Sequence, residues 1–195
     1  GIEMIYHRAA AVGVGQSMYE IEAYVSANSL GAAVLLQEVI ARKGQIARMV
    51  VASSMSIYGE GAYVDAAGRP ASPGLRPDSQ LEKREWELRD EAGHELRAIG
   101  TPETKPLLPT SVYAVTKRDH EELFLAVGNA YRIPTVALRY FNVYGSRQAL
   151  SNPYTGVAAI FSSRLLNGKP PLVTEDGLQS RDFVHVDDVV AVNLW

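Results

Sequence analysis

Apolar and polar residues along this chain follow two alternating rhythms. From Ser17, a residue suited to capping, to about Lys43, the positions Ile21, Tyr24, Val25, Asn28, Leu35, Leu36, Val39 and Ile40 fall mainly on one face of a helix, and Gly44 fits its stop. Residues 46–53 then form a short apolar run without polar alternation, as expected of a strand covered on both faces in a parallel sheet, with Ser53, Ser54 and Ser56 at its C-terminal end. A second helix is predicted over Val112–Tyr131, and Ile133-Pro134 leads into a strand over 135–143. After Asn152-Pro153 the pattern predicts a helix over Val157–Leu166, a short strand near Leu172 and a turn at Glu175-Asp176-Gly177. A strand over 183–186 follows, with Asp187 or Asp188 placed to cap a further helix. Helices alternating with strands predict an α/β fold: a parallel sheet with helices on both faces, whose ligands sit at the carboxyl ends of the strands.

Between them, residues 61–110 change texture to glycine, proline and charge, with one short charged helix predicted around 81–91, so this stretch reads as a surface excursion. Composition narrows the picture further. With 195 residues, 47% of them hydrophobic, the chain can bury one sizeable core, and 19 Lys and Arg against 22 Asp and Glu offer no field for gripping nucleic acid. There is no cysteine, which excludes disulfides, cysteine-ligated zinc and a thiol nucleophile, and no metal site is expected. The apolar runs read as shorter than the roughly 20 residues a membrane span needs, so a soluble, cytoplasmic protein is expected. The opening Gly-Ile-Glu-Met carries neither an initiator Met nor a signal-peptide pattern, and residues 189–195 stop inside an apolar stretch, so the chain reads as the middle of a longer protein.

The strongest chemical signal is Tyr113-Ala-Val-Thr-Lys117. Four residues apart on a helix, phenol and ammonium share one face, and a nearby cation lowers a tyrosine pKa from its usual value of about 10 toward that of a usable base. Many helices carry this spacing by chance, so its context decides. The strand before it delivers Ser54 to the sheet edge, where a hydroxyl can relay a proton; alternatively, Ser53, Ser54 and Ser56 only satisfy backbone groups at a strand end. Gly13-Val-Gly15-Gln-Ser-Met18 begins like a dinucleotide fingerprint but has Met18 where the last glycine belongs and follows no complete strand, so it is rejected.

The segments VVASSMSIYGE, SVYAVTK, PTVALRYFNVYGSRQ, NPYTGVAAIFSSRLLNG and DGLQSRDFVHVDDVV, in this order, resemble successive signatures of the extended short-chain dehydrogenase/reductases, above all the NAD-dependent nucleotide-sugar epimerases. The opening HRAAAVGVGQSMYEIEAYVSANSLGAAVLLQE is similar to that family's stretch after its fourth strand. The resemblance implies a Rossmann-type doubly wound parallel sheet over 1–150, partial because the glycine-loop βα units and the acidic ribose-binding residue are absent. The start of a small substrate-binding region follows over 151–195.

By position, the resemblance implies Ser54, Tyr113 and Lys117 as catalytic residues. It implies an NAD site that includes Tyr113 and Lys117 together with His7, Ala9, Ala10, Asn28, Ser53 and Tyr140, Asn28 helping to organise the proton relay. Ser54, Asn142 and Arg181 would hold the nucleotide-diphosphate sugar, Arg181 by its forked, permanently charged donors. Each has a structural alternative: a loop cap for Asn142, a surface ion pair with Asp182 for Arg181, a core position for His7 and His185. The implied reaction is 4-epimerisation, in which C4 is oxidised to a ketone and the hydride returns to the opposite face. The related 4,6-dehydratases place an acid pair after the catalytic hydroxyl, whereas Met55-Ser56 follows Ser54 here. The excursion boundaries resemble epimerases of 6-deoxyhexose nucleotides, and a homodimer is common in the family. A non-catalytic binding module, and a reductase, dehydratase or decarboxylase on the same scaffold, remain open at this level.

Overall fold

The computed structural model describes residues 1–149 and 156–194. In chain order, β1 (Met4–His7) is followed by a 3-10 turn (Gln16–Met18), α1 (Ile21–Tyr24), a π-helical stretch (Val25–Leu30), α2 (Gly31–Ala41) and β2 (Arg48–Ser54). Next come β3 (Ala62–Val64), β4 (Pro70–Ala71), α3 (Asp78–Glu82) and β5 (Arg97–Ile99). They are succeeded by α4 (Val112–Tyr131), β6 (Thr135–Tyr140), β7 (Asn142–Tyr144), α5 (Val157–Leu166), β8 (Phe183–His185) and α6 (Val186–Leu194). Two compact units result: 1–57 with 109–171 and 181–195, and 58–108 with 172–180.

In the first unit, β1, β2 and β6 form a parallel sheet with β2 in the centre, and β7 pairs in parallel with β8. Burial along nearly all of β2 explains its unbroken apolar sequence. On one face, Met49 and Val51 pack with Ala32, Leu36 and Val39 of α2, Phe124 of α4 and Ile133. The opposite face carries Tyr140, whose hydroxyl hydrogen-bonds Asn193 of α6, while Met4, Tyr6 and Val136 remain exposed there.

Helix α4 has signals at both ends. Ser111 is extended and its side chain accepts from the Ala114 N–H, while Arg132 takes a left-handed conformation (φ 59°) so that the Ile133 N–H closes back on the Gly128 carbonyl at 2.9 Å.

Several expectations change. The helix predicted over 17–43 starts at Ile21 and widens into the π-helical stretch, so the buried positions run Tyr24, Asn28, Ala32, Leu36 and Val39 while Ile21 and Val25 stay exposed. Ser17 does not cap that helix. The helical run Ile21–Ala41 is 21 residues with mean hydropathy 1.2 in its most apolar window, enough to span a membrane by length and composition alone, a test that core helices also meet; Ala32, Leu36 and Val39 pack into the core. The strand predicted over 135–143 is split at Phe141, because β6 pairs with β2 and β7 with β8. No strand forms near Leu172, and Asp187 and Asp188 lie in the first turn of α6, where they favour its positive end instead of capping it. Asn152-Pro153 lies outside the described residues.

The second unit holds an antiparallel sheet ordered β4-β3-β5. Two turns of one sequence pattern, Asp65-Ala-Ala-Gly68-Arg69 and Asp90-Glu-Ala-Gly93-His94, share one geometry. Each aspartate Oδ1 accepts the N–H groups two and four residues on, and each glycine sits at positive φ. The predicted helix over 81–91 is instead the five-residue α3, after which the Gln80 amide donates to the Glu85 and Glu87 carbonyls and holds the chain in a turn.

Candidate active site

The parallel sheet brings its carboxyl ends together at one cleft of about 500 Å³, with polar lining from Arg8, Ser53, Ser54, Ser56, Tyr113 and Lys117. β2 ends on Ser53 and Ser54, in register with Arg139 and Tyr140 of β6, so a hydroxyl pair stands at the end of the central strand. The Ser111 cap starts α4 at Val112, which puts Tyr113 in the first turn and Lys117 one turn further on the same face.

That first turn is tied down from outside. The Tyr113 N–H, one of the donors a helix start leaves unpaired, reaches the Ser17 hydroxyl at 3.0 Å, and Ser17 in turn donates to the Val14 carbonyl at 2.7 Å. Ser17 is therefore a cap on a helix almost a hundred residues away. Asn28, fully buried, pins the same loop: its Oδ1 accepts from the Ala11 N–H at 2.8 Å, and its amide nitrogen donates to the Ala11 carbonyl and to Thr116 Oγ1. Behind, Glu121 of α4 takes a forked pair of hydrogen bonds from Arg139 of β6, at 2.6 and 3.0 Å, fixing α4 against the sheet.

The electrostatics overturn one expectation. Tyr113 is not made acidic: burial pushes its phenol above the ordinary tyrosine value, with a hydrogen bond from Ser54 pulling the other way. Burial also lowers Lys117 to about 8, so desolvation weakens the cation that the spacing argument relied on. Hydroxyls continue beyond the phenol, since Ser54 Oγ lies 3.2 Å from Ser56 Oγ and accepts from the Ser56 N–H.

Of the residues proposed from sequence, Ala10, Ser53, Ser54, Tyr113, Lys117 and Tyr140 line the cleft. His7, Ala9, Asn28, Asn142 and Arg181 do not. The His7 ring stacks on Phe124 at 4.9 Å, with Nε2 buried and unpartnered, and burial drops its pKa to about 4. Asn142 donates to the Asp182 carbonyl at 2.9 Å, and Arg181 is exposed. Sequence reasoning missed Arg8, Ser56 and the loop of Val12, Gly13 and Val14, all of which line the cleft, as does Phe141 beside Tyr140. The rejected glycine stretch thus contributes wall without being a phosphate fingerprint.

A Rossmann-type α/β fold with a serine, tyrosine and lysine gathered where its strands end defines the class of protein. The chain belongs to the NAD dependent epimerase/dehydratase family, whose profile matches residues 1–79 and 91–195. It is 37% identical over 187 residues to the dTDP-L-rhamnose 4-epimerase of Burkholderia thailandensis, covering 96% of this chain and 50% of that protein. Among solved structures it resembles the UDP-glucose 4-epimerase of Thermotoga maritima with UDP-glucose (TM-score 0.73, 30% identity, 98% of this chain and 50% of that one). It also resembles the UDP-glucose 4-epimerase of Thermus thermophilus in complex with NAD (TM-score 0.68, 29% identity, 98% and 51%). The chain spans about half the length of the curated relatives it matches.

Proposed function

We propose that the whole protein is an NAD-dependent nucleotide-sugar 4-epimerase and that this chain supplies its acid–base residues. The observation that carries the reading is the convergence of Ser54, Tyr113 and Lys117 on one cleft at the sheet's carboxyl ends. Two polar groups there are short of partners among the described residues, as expected of a dinucleotide site: Ser53 Oγ is buried without a hydrogen bond, and the Lys117 ammonium meets the His120 ring alone, at 3.5 Å. Ser53, Lys117, Tyr113 and Tyr140 would hold the cofactor, with Ala10 beside it. NAD, when bound, supplies the acceptor and then the donor for the C4 hydride.

The chain's own residues move the proton. Tyr113 exchanges it with the sugar 4-hydroxyl, directly or through Ser54, and Ser56 extends the hydroxyl chain. Burial raises the phenol, so a charge kept on Lys117 one helical turn away would be needed to ease its deprotonation during turnover. Asn142 and Arg181, which lie outside the cleft, are assigned to the nucleotide end by the family resemblance alone. Among the described residues no carboxylate lines the cleft, and Met55-Ser56 follow Ser54, which favours epimerisation over dehydration. Substrate resemblance favours a 6-deoxyhexose nucleotide.

In the full-length protein, Tyr113→Phe is expected to lower the rate of C4 inversion, followed by NMR of the sugar, by about 10²- to 10⁴-fold while nucleotide-sugar binding persists. Retained turnover would remove Tyr113 from this role, and stoichiometric accumulation of NADH would replace the epimerase by a dehydrogenase.

A further inference from the structure

Behind Lys117 lies a group that the proposed chemistry does not use. His120 is on α4 three residues further on, so the two side chains share a face, and it is completely buried. Its Nε2 stands 2.6 Å from the Asn28 carbonyl oxygen, which lies in the π-helical stretch Val25–Leu30. A carbonyl can only accept, so Nε2 carries the proton and Nδ1 presents its lone pair. That lone pair faces Lys117 Nζ at 3.5 Å, the one hydrogen-bond partner of the ammonium among the described residues.

We propose that His120 is a positioning residue for Lys117: a neutral imidazole, held in one tautomer by the Asn28 carbonyl, that accepts from the buried ammonium and leaves its charge uncompensated toward the cleft. The inference rests on the role given to Lys117 above. A carboxylate at this place would neutralise the ammonium, and an aliphatic side chain would leave it desolvated on that side with no acceptor. The groups facing the imidazole are few. From β1 the His7 ring meets it edge-on at 5.1 Å, and from α4 come Lys117 and the charge of Asp119. From the π-helical stretch comes the Asn28 carbonyl. Burial lowers the pKa of both histidines, which keeps the ring neutral and accepting near pH 7.

The test uses the full-length protein with ¹³C-labelled lysine, the Lys117 Cε resonance being assigned with Lys117→Met. In the parent, Lys117 is expected to titrate near 8. In His120→Phe, which fills the space without an acceptor, the midpoint should fall by about one pH unit, the effect of one charge-assisted hydrogen bond at the weak end of its range. In His120→Gln the amide nitrogen can donate to the Asn28 carbonyl and the amide oxygen can accept from Lys117, so the parent midpoint should return. Turnover should follow the same order, with kcat lowered about twofold at pH 7 and about tenfold at pH 9 in the Phe variant, little change in KM, and recovery in the Gln variant. Identical midpoints in parent and Phe variant would overturn the proposal, as would an equal fall in both variants, which would mean packing alone matters. Should His120→Phe not fold, His120→Met carries the same comparison. Because the titration needs no turnover, it decides the role of His120 even if the parent fails to epimerise sugars, a failure that would instead sink the proposed function.

Discussion

Replacing Asn28 by alanine removes three hydrogen bonds at once, and their settings differ. Those to the Ala11 N–H and carbonyl are partly buried, so water can take over some of the lost partnership and each is worth about 1 kcal/mol. The bond to Thr116 Oγ1 is fully buried and links the π-helical stretch to α4, and its loss adds another ~1–2 kcal/mol. The expected total is about 3 kcal/mol, a large share of the roughly 5–15 kcal/mol by which domains are stable. The loss should appear as a lower urea midpoint with an unchanged slope, and native-state hydrogen exchange should show the Ala11 amide opening far more readily. Asn28→Asp keeps the acceptor for the Ala11 N–H but loses both donated bonds and buries a carboxylate oxygen against the Ala11 carbonyl, so it should destabilise at least as much as alanine. Since Ala10, Val12, Gly13 and Val14 line the cleft beside this anchor, ligand affinity should weaken with stability. A cost below about 1 kcal/mol with normal exchange at Ala11 would refute the anchoring argument and reopen a direct role for Asn28 in proton relay.

Two further outcomes follow from burial. A Cβ at Gly128 would overlap the Thr135 hydroxyl and come within 2.9 Å of the Ile133 carbonyl oxygen, so Gly128→Ala should destabilise by about 2 kcal/mol despite the roughly 1 kcal/mol gained in helix propensity, and a neutral denaturation result would contradict this close approach. His7 has a folded pKa of about 4 against 6.5 in the open chain, so the unfolded state takes up the proton first, and the stability present above pH 6.5 drains away as pH falls toward 4. His7→Phe, which keeps a ring against Phe124, should flatten the dependence of urea midpoint on pH between 7 and 4.5; equal slopes in parent and variant would rule out His7 as its source.

Much of the frame was legible because it depends on short-range geometry. Helix α4 begins and ends at the predicted Val112 and Tyr131 since a serine cap and an Ile-Pro exit bracket a 3.6-residue rhythm, and α5 follows its own rhythm equally closely. The unbroken apolar run of β2 announces a strand buried on both faces, and the four-residue step from Tyr113 to Lys117 puts both on one side of a helix wherever that helix packs. The repeated Asp-x-x-Gly turn of the second unit was equally readable, as a pattern in the sequence, but went unused.

Other features depend on what distant segments bring. Ser17 looks like the cap of the helix beside it, yet its hydroxyl serves α4, and Asn28 spends its amide on Ala11 and Thr116. The sign of the Tyr113 shift turned on burial, which no spacing reveals. By itself the sequence determined the local periods, the caps and the order of strand and helix, because the backbone repeats every 2 or 3.6 residues whatever surrounds it. Only the tertiary structure decided which hydroxyl meets which amide, where Arg8 and His120 fall, and how far each charge is removed from water, because those depend on neighbours that the chain brings together from tens of residues away.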